Sequence, residues 1–180
     1  KEEHVVLIPN SDGIGKDVAL GKSIFKASGA VVEDALRTRL GNVDWLIVLA
    51  GGGGGTGSSV VALQEVFQRY LKSVQAGGEV LYAVSWPTAQ ESLNPTISRN
   101  ALSLLNDVTG LPHVVIDNER QTKLLRGNVG MLGLYPYANT AFAKLLAQVL
   151  KLSTEISPIQ SFDSKDLETC LRKEGRMFIG

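Results

Sequence analysis

The chain has 180 residues, 44% of them hydrophobic and 20% charged, enough to bury one sizeable core and too apolar for a disordered segment. Eighteen Lys and Arg balance eighteen Asp and Glu with no dense basic run, which leaves no electrostatic footprint for direct nucleic-acid binding. A single cysteine, Cys170, excludes an internal disulfide, and two histidines, His4 and His113, give a zinc site or a Ser-His-Asp triad little to work with. No apolar stretch is long enough to span a bilayer, and the polar start Lys1-Glu2-Glu3 lacks the character of a signal peptide, so the expected location is cytoplasmic.

In chain order, short apolar runs at 4–8, 45–49, 80–84 and 113–116 are predicted to be buried strands. Helical spacing separates them. Val60, Leu63, Phe67, Leu71 and Val74 lie on one helical face, and 98–105 and 138–152 behave similarly. The alternation predicts an α/β fold, a Rossmann-like parallel sheet flanked by helices. The loops that begin at Pro9, Ala50, Ser85 and Asp117 then emerge together at the carboxyl edge, where such sheets bind ligands.

The unbroken glycine run 51–55, continued by Thr56, Gly57, Ser58 and Ser59, sits where a strand gives way to a helix. Glycines let the backbone approach an anion with its N–H groups turned inward, and a helix N-terminus adds a positive dipole end. The hydroxyls add donors or caps. A flexible linker is the bland alternative, but linkers are seldom flanked so closely by a strand and an amphipathic helix. Gly52, Gly54 and Gly57 also satisfy G-x-G-x-x-G, which keeps a nicotinamide-dependent oxidoreductase as a second reading; against it, the next strand ends Val84-Ser85-Trp86-Pro87 without a ribose-binding carboxylate. A Walker loop is excluded, because Gly15-Lys16 is followed by Asp17.

Gly53-Gly54-Gly55-Thr56-Gly57-Ser58 closely resembles the signature loop G-G-G-T-G-[ST] of the tubulin/FtsZ superfamily, including the TubZ proteins of plasmids and phages. Supporting matches follow in the family's order. The 9–15 segment, with Gly13, resembles the loop that approaches the terminal phosphate, and Pro87 with Glu91 resembles the P-x-x-x-E loop whose carboxylate reaches the ribose. Ile116-Asp117-Asn118-Glu119 resembles the segment whose Asn contacts guanine. Tyr137-Ala138-Asn139-Thr140 resembles the start of the central helix, where an Asn reads the other guanine edge. The 162–167 segment, with Asp163 and Asp166, resembles the synergy loop that completes the active site of the next subunit.

The resemblance implies a GTPase that binds GTP and GDP with Mg²⁺. Gly13, Gly53, Gly54, Gly55, Thr56, Gly57 and Ser58 would serve the phosphates, Glu91 the ribose, and Asn118 and Asn139 the base, with Arg99 within reach of the nucleotide and no metal ligand assigned to a side chain. Taken alone, each Asn is equally a turn or cap residue, Glu91 a solvated acid, and Asp163 a helix cap. Asp163 and Asp166 are the expected catalytic acids. They follow a helix of roughly fifteen residues, which at 1.5 Å per residue places them about 20 Å from the nucleotide loops. The implied partner is therefore a second copy, head to tail in a filament, with an adaptor protein as the expected link to DNA cargo in plasmid or phage segregation; cell division is the other expected role.

Two departures stand out. Ser161 occupies the position where the family's synergy loop usually has Asn, which leans toward the TubZ type and keeps a non-hydrolysing filament protein as a third reading. The chain also begins at what resembles the family's third strand, without the first phosphate loop. The expected organisation is a GTP-binding domain with the central helix at 1–154, and the synergy loop and start of a second domain at 155–180, within a longer chain.

Overall fold

The computed structural model describes residues 5–9, 11, 13–124, 131–152, 165–166, 169–170 and 176–177. The first helix, α1 (Val18–Ala27), starts at Asp17, whose Oδ1 accepts the Leu20 N–H at 2.9 Å, as an N-cap should. After a break at Ser28 the chain continues as α2 (Gly29–Leu40), which stops at Gly41 in the left-handed region, φ 65°. Strand β1 (Leu46–Gly51) leads through the glycine turn into α3 (Gly55–Ser59), a single 3₁₀ turn (Val60–Leu63) and α4 (Gln64–Ser73).

Strand β2 (Val80–Trp86) follows, then α5 (Pro95–Val108), opened by Asn94 capping the Thr96 N–H and by Pro95 in the first turn. The remaining elements are β3 (His113–Asp117), α6 (Asn118–Leu124), α7 (Met131–Leu152) and the two-residue β4 (Arg176–Met177). The sheet order is β1-β2-β3-β4, every pair parallel. β2 is central and buried from Val80 to Val84, as a strand covered on both faces must be. Its Val80, Tyr82 and Val84 share a core with Phe25, Phe67, Tyr70, Leu104 and Val108. Burial pushes the Tyr82 hydroxyl far above the usual phenol range, and it donates to Gln64 Oε1.

Three of the strands read from sequence are present with nearly the expected bounds, and the α/β class holds. The strand expected at 4–8 is not: residues 5–8 carry none, and Val5 and Leu7 are exposed. A strand exists only where another chain segment supplies its ladder; the described residues 5–9 are tied to the rest by the Arg39 guanidinium on the Val5 carbonyl and by Ile8 packing against the core, without a ladder. Helices α1 and α2 fill the interval between the first two apolar runs, where helical spacing was expected without bounds; α6 was not anticipated, and the 138–152 pattern is the C-terminal part of α7. His113 is buried, and its Nδ1 lies 2.9 Å from the Leu111 carbonyl. That acceptor requires the hydrogen on Nδ1, so the residue secures the turn into β3. The expected domain boundary near 154 and Ser161 fall outside the described residues. No helix among the described residues is long and apolar enough to cross a membrane.

Leu104 is 1% exposed at the centre of the core. Leu104→Ala is expected to lower unfolding free energy by about 2–5 kcal/mol through lost transfer energy and a cavity, read as a reduced midpoint in chemical denaturation.

Candidate functional site

The β1–α3 turn is held from three sides. The Gly52 N–H donates to the Ser85 carbonyl at 2.9 Å, which carries the β1–β2 ladder one residue past the strand. Gly53, left-handed at φ 102°, donates its N–H to Ser58 Oγ at 3.2 Å and offers its carbonyl to Asn100 Nδ2 at 3.1 Å. A Cβ at Gly57 would overlap the backbone of Gly51, and one at Gly55 would press on the Gly15 carbonyl and Ile14. These positions are glycine because the protein itself leaves no room.

Gly54 is different. Its φ of −82° and ψ of 164° suit any residue, it is exposed, and a Cβ there would meet nothing within 4 Å. Neither packing nor backbone conformation requires a glycine, so the missing side chain leaves space for something outside the chain. Thr56 is also exposed, whereas Ser58 and Ser59 are fully buried. Ser59 Oγ donates to the Gly55 carbonyl at 2.6 Å. The Ser58 hydroxyl, expected among the phosphate-binding groups, accepts the Gly53 N–H and so braces the turn.

The second loop, 13–17, lies against this turn, as the contact of Gly55 with the Gly15 carbonyl records. Gly13 has φ 104° and is exposed. Asn100, buried on α5, donates to the Lys16 carbonyl at 2.9 Å as well as to Gly53. One side chain thus fastens both loops.

Beyond β2, Glu91 is held by both carboxylate oxygens. Oε2 accepts from the Thr88 N–H at 2.8 Å and the Thr88 hydroxyl at 2.9 Å, and Oε1 accepts from the Tyr135 hydroxyl at 2.5 Å. Partial burial opposes ionisation, but the donors from Tyr135 and Thr88 together outweigh it and hold the Glu91 carboxyl below the usual range. The same bond, with burial and the charge of Glu91, pushes the Tyr135 phenol up to about 12. Glu119 accepts the Ala89 N–H at 2.9 Å, tying the loop after β2 to α6.

Of the remaining expected residues, Asn118 is buried at the start of α6, Asn139 is exposed on α7 one turn beyond Tyr135, and Arg99 is exposed on α5. Asp166 is helical and exposed; Asp163 lies outside the described residues. Among the described residues no group of three or more His, Cys, Asp or Glu gathers that could hold a metal ion. Sequence reasoning missed Asn100, Thr88, Tyr135 and Glu119. Asn100 left a signal: it stands beside the stripe Ile97, Ala101, Leu104, Val108 of α5, and an amide on a core-facing helix position must find partners.

The sequence matches no protein-family model, and no curated protein matches it. Solved structures do. A CetZ from Methanosaeta thermophila superposes over 96% of this chain with TM-score 0.76 at 19% identity. The chain has the tubulin/FtsZ fold. An FtsZ from M. jannaschii, also solved as a dimer, superposes over 93% with TM-score 0.68 at 23% identity, and TubZ of Clostridium botulinum phage c-st over 89% with TM-score 0.64 at 14% identity. The chain covers 45%, 47% and 50% of those three structures, about half of each. In this tubulin/FtsZ framework the two glycine-bearing loops, Glu91 and the start of α6 all follow the carboxyl ends of strands or the loop beside them.

Two outcomes follow from the geometry. Gly54→Ser places its side chain in open space at a helix N-cap and is expected to change stability by under about 0.5 kcal/mol, whereas Gly57→Ala collides with Gly51 backbone and is expected to cost about 1–3 kcal/mol; paired urea titrations decide. Because the folded Glu91 pKa lies below its ordinary 4.5, its contribution is present above that pH and is lost as pH falls through the lower folded value. Glu91→Gln is therefore expected to flatten the acid limb of a stability–pH profile below about pH 4.5 and to leave its shape near neutral pH unchanged; above about pH 10 the profile is expected to flatten as well, because the bond and charge of Glu91 hold the Tyr135 phenol up to about 12.

Proposed function

We propose that this chain is the nucleotide-binding part of a tubulin-like GTPase that assembles head to tail, with hydrolysis completed by the neighbouring subunit. The observation that carries the reading is the vacancy at Gly54: a braced turn at the carboxyl edge of a parallel sheet, in a tubulin/FtsZ fold, whose exposed glycine serves no need of the protein. Gly53, Gly54, Gly55, Thr56 and Gly57 would take the phosphates together with Gly13; Ser58 would act beneath them through Gly53. Glu91, already oriented by Thr88 and Tyr135, keeps one acceptor site, on Oε1, for a ribose hydroxyl, with Arg99 nearby on the next helix, and Asn118 and Asn139 offer amides that both donate and accept, as a guanine edge requires.

Phosphoryl transfer to water asks a protein chiefly for positioning and charge stabilisation. Mg²⁺ entering with the nucleotide would supply charge neutralisation at the phosphates. The residues of this chain would bind and orient the nucleotide, while Asp163 and Asp166 from the next subunit would orient the attacking water. The FtsZ relative solved as a dimer supports self-association. A role in moving or positioning DNA through an adaptor protein, or in division, completes the proposal.

The test is phosphate release from GTP with Mg²⁺ across a range of protein concentrations in the full-length polypeptide, with ATP and NADH binding as controls. GTP-specific turnover that starts only above a threshold concentration is the expected result, with Asp163→Ala keeping GTP binding, losing turnover and yielding longer-lived filaments. Normal turnover in Asp163→Ala would remove the shared-site assignment. Filaments without phosphate release would point to the non-hydrolysing reading, and NADH binding without GTP binding to the dinucleotide one.

A further inference from the structure

We infer that Asn100 is a positioning residue that aims the phosphate-facing backbone and locks the two phosphate loops to each other; this rests on the nucleotide reading above. Its amide contacts two carbonyl oxygens, those of Gly53 at 3.1 Å and Lys16 at 2.9 Å. Only the nitrogen end can serve two acceptors, so the orientation of the amide follows from its partners. Both are distant in sequence, 47 and 84 residues away, and the side chain is 8% exposed, which leaves no scope for a different partner in solvent.

The consequence lies in the peptide plane. In a trans peptide the C=O of one residue and the N–H of the next point in opposite directions, and no peptide among the described residues is cis. With the Gly53 carbonyl drawn to α5 by Asn100, the Gly54 N–H is directed away from α5, at the one residue of the turn whose surroundings are open. Gly53 alone does not set this plane, because a glycine crosses between backbone regions at little cost. The Ser58 hydroxyl fixes the N–H on one side of Gly53 and Asn100 fixes the C=O on the other. The bond to Lys16 draws the 13–17 loop to the same amide, so a shift of either loop is felt by the other.

Asn100→Asp tests this in the full-length polypeptide. A carboxylate cannot donate to either carbonyl and repels both, while the shape is retained. Dissociation constants for GTP, GDP and guanosine, the last measured by competition, separate positioning from folding. The expected result is an affinity loss of about tenfold or more for GTP and GDP, corresponding to at least one displaced charge-assisted hydrogen bond, with guanosine affinity within twofold of the parent. A parallel loss for all three ligands, or no loss for any, overturns the inference. If the parent binds none of the three, the nucleotide reading itself falls, a result distinct from a parent that binds GTP and a variant that binds it equally well. Should the Asp variant not fold, Asn100→Ser, smaller and neutral, is measured in its place, and the same ratio of GTP to guanosine affinity decides.

Discussion

Parallel pairing of β1, β2 and β3 is the constraint on which the rest of this structure depends. Parallel strands cannot be joined by a tight turn; the chain must cross back over the sheet, here through α3 and α4 between β1 and β2 and through α5 between β2 and β3. Every strand therefore ends at the same edge. The register sets Gly51 beside Ser85 and Trp86 beside Asp117, which gathers the glycine turn, the Pro87–Glu91 loop and the head of α6 without any of them being near in sequence. The central position of β2 then demands cover on both faces: Phe67, Tyr70, Leu104 and Val108 pack with Val80, Tyr82 and Val84 on one of them, and Leu81 and Ala83, which alternate to the other, are buried too.

Within that frame the glycine run meets two unlike needs. Gly55 and Gly57 are small because backbone and side chains press on them, and Gly53 because its φ is positive. Gly51, on β1, would meet only an ordinary contact with Ser85 Oγ at 3.8 Å, and Gly54 would meet nothing within 4 Å. The polar side chains around the turn divide in the same way: Ser58 and Asn100 are buried and spend their hydrogen bonds on the protein's own backbone, while Thr56 stays at the surface. Glu91 shows a related arrangement, a carboxylate steadied by neutral donors from its own loop and from α7. No cation is needed to keep it ionised at neutral pH, because hydrogen bonds to the charged form suffice.

Much of this was legible in the residues. The apolar runs before Gly51, Trp86 and Asp117 are bounded by glycine, proline or a helix start, so their strands could be placed, and the glycine turn was recognisable from composition and position. The 5–8 run shows the limit: alternation describes a strand's faces but not whether a partner supplies its ladder. Helix α2 was illegible for another reason. Its segment GAVVEDALRTRL mixes charge into nearly every turn, leaving a weak apolar stripe. The bond from the Gly53 N–H to Ser58 was not legible, because a hydroxyl in a phosphate-like loop can point outward or back into the turn, and only the tertiary position of Gly53 decides. Asn100 and Tyr135 act across 84 and 44 residues, a distance over which no local pattern speaks.

Those separations carry a consequence for how the chain reaches this state. The bonds that close the candidate site join residues 30, 44, 47 and 84 positions apart, whereas the helices that flank it form from contacts three or four apart. Ordering a long loop costs chain entropy before any bond rewards it, and folds rich in distant contacts form slowly. The helices and the β1–β2 crossover can therefore assemble while the loops at the carboxyl edge are still unjoined, so that closure of the site belongs among the last steps of folding and registers that the sheet beneath it has formed in the right register.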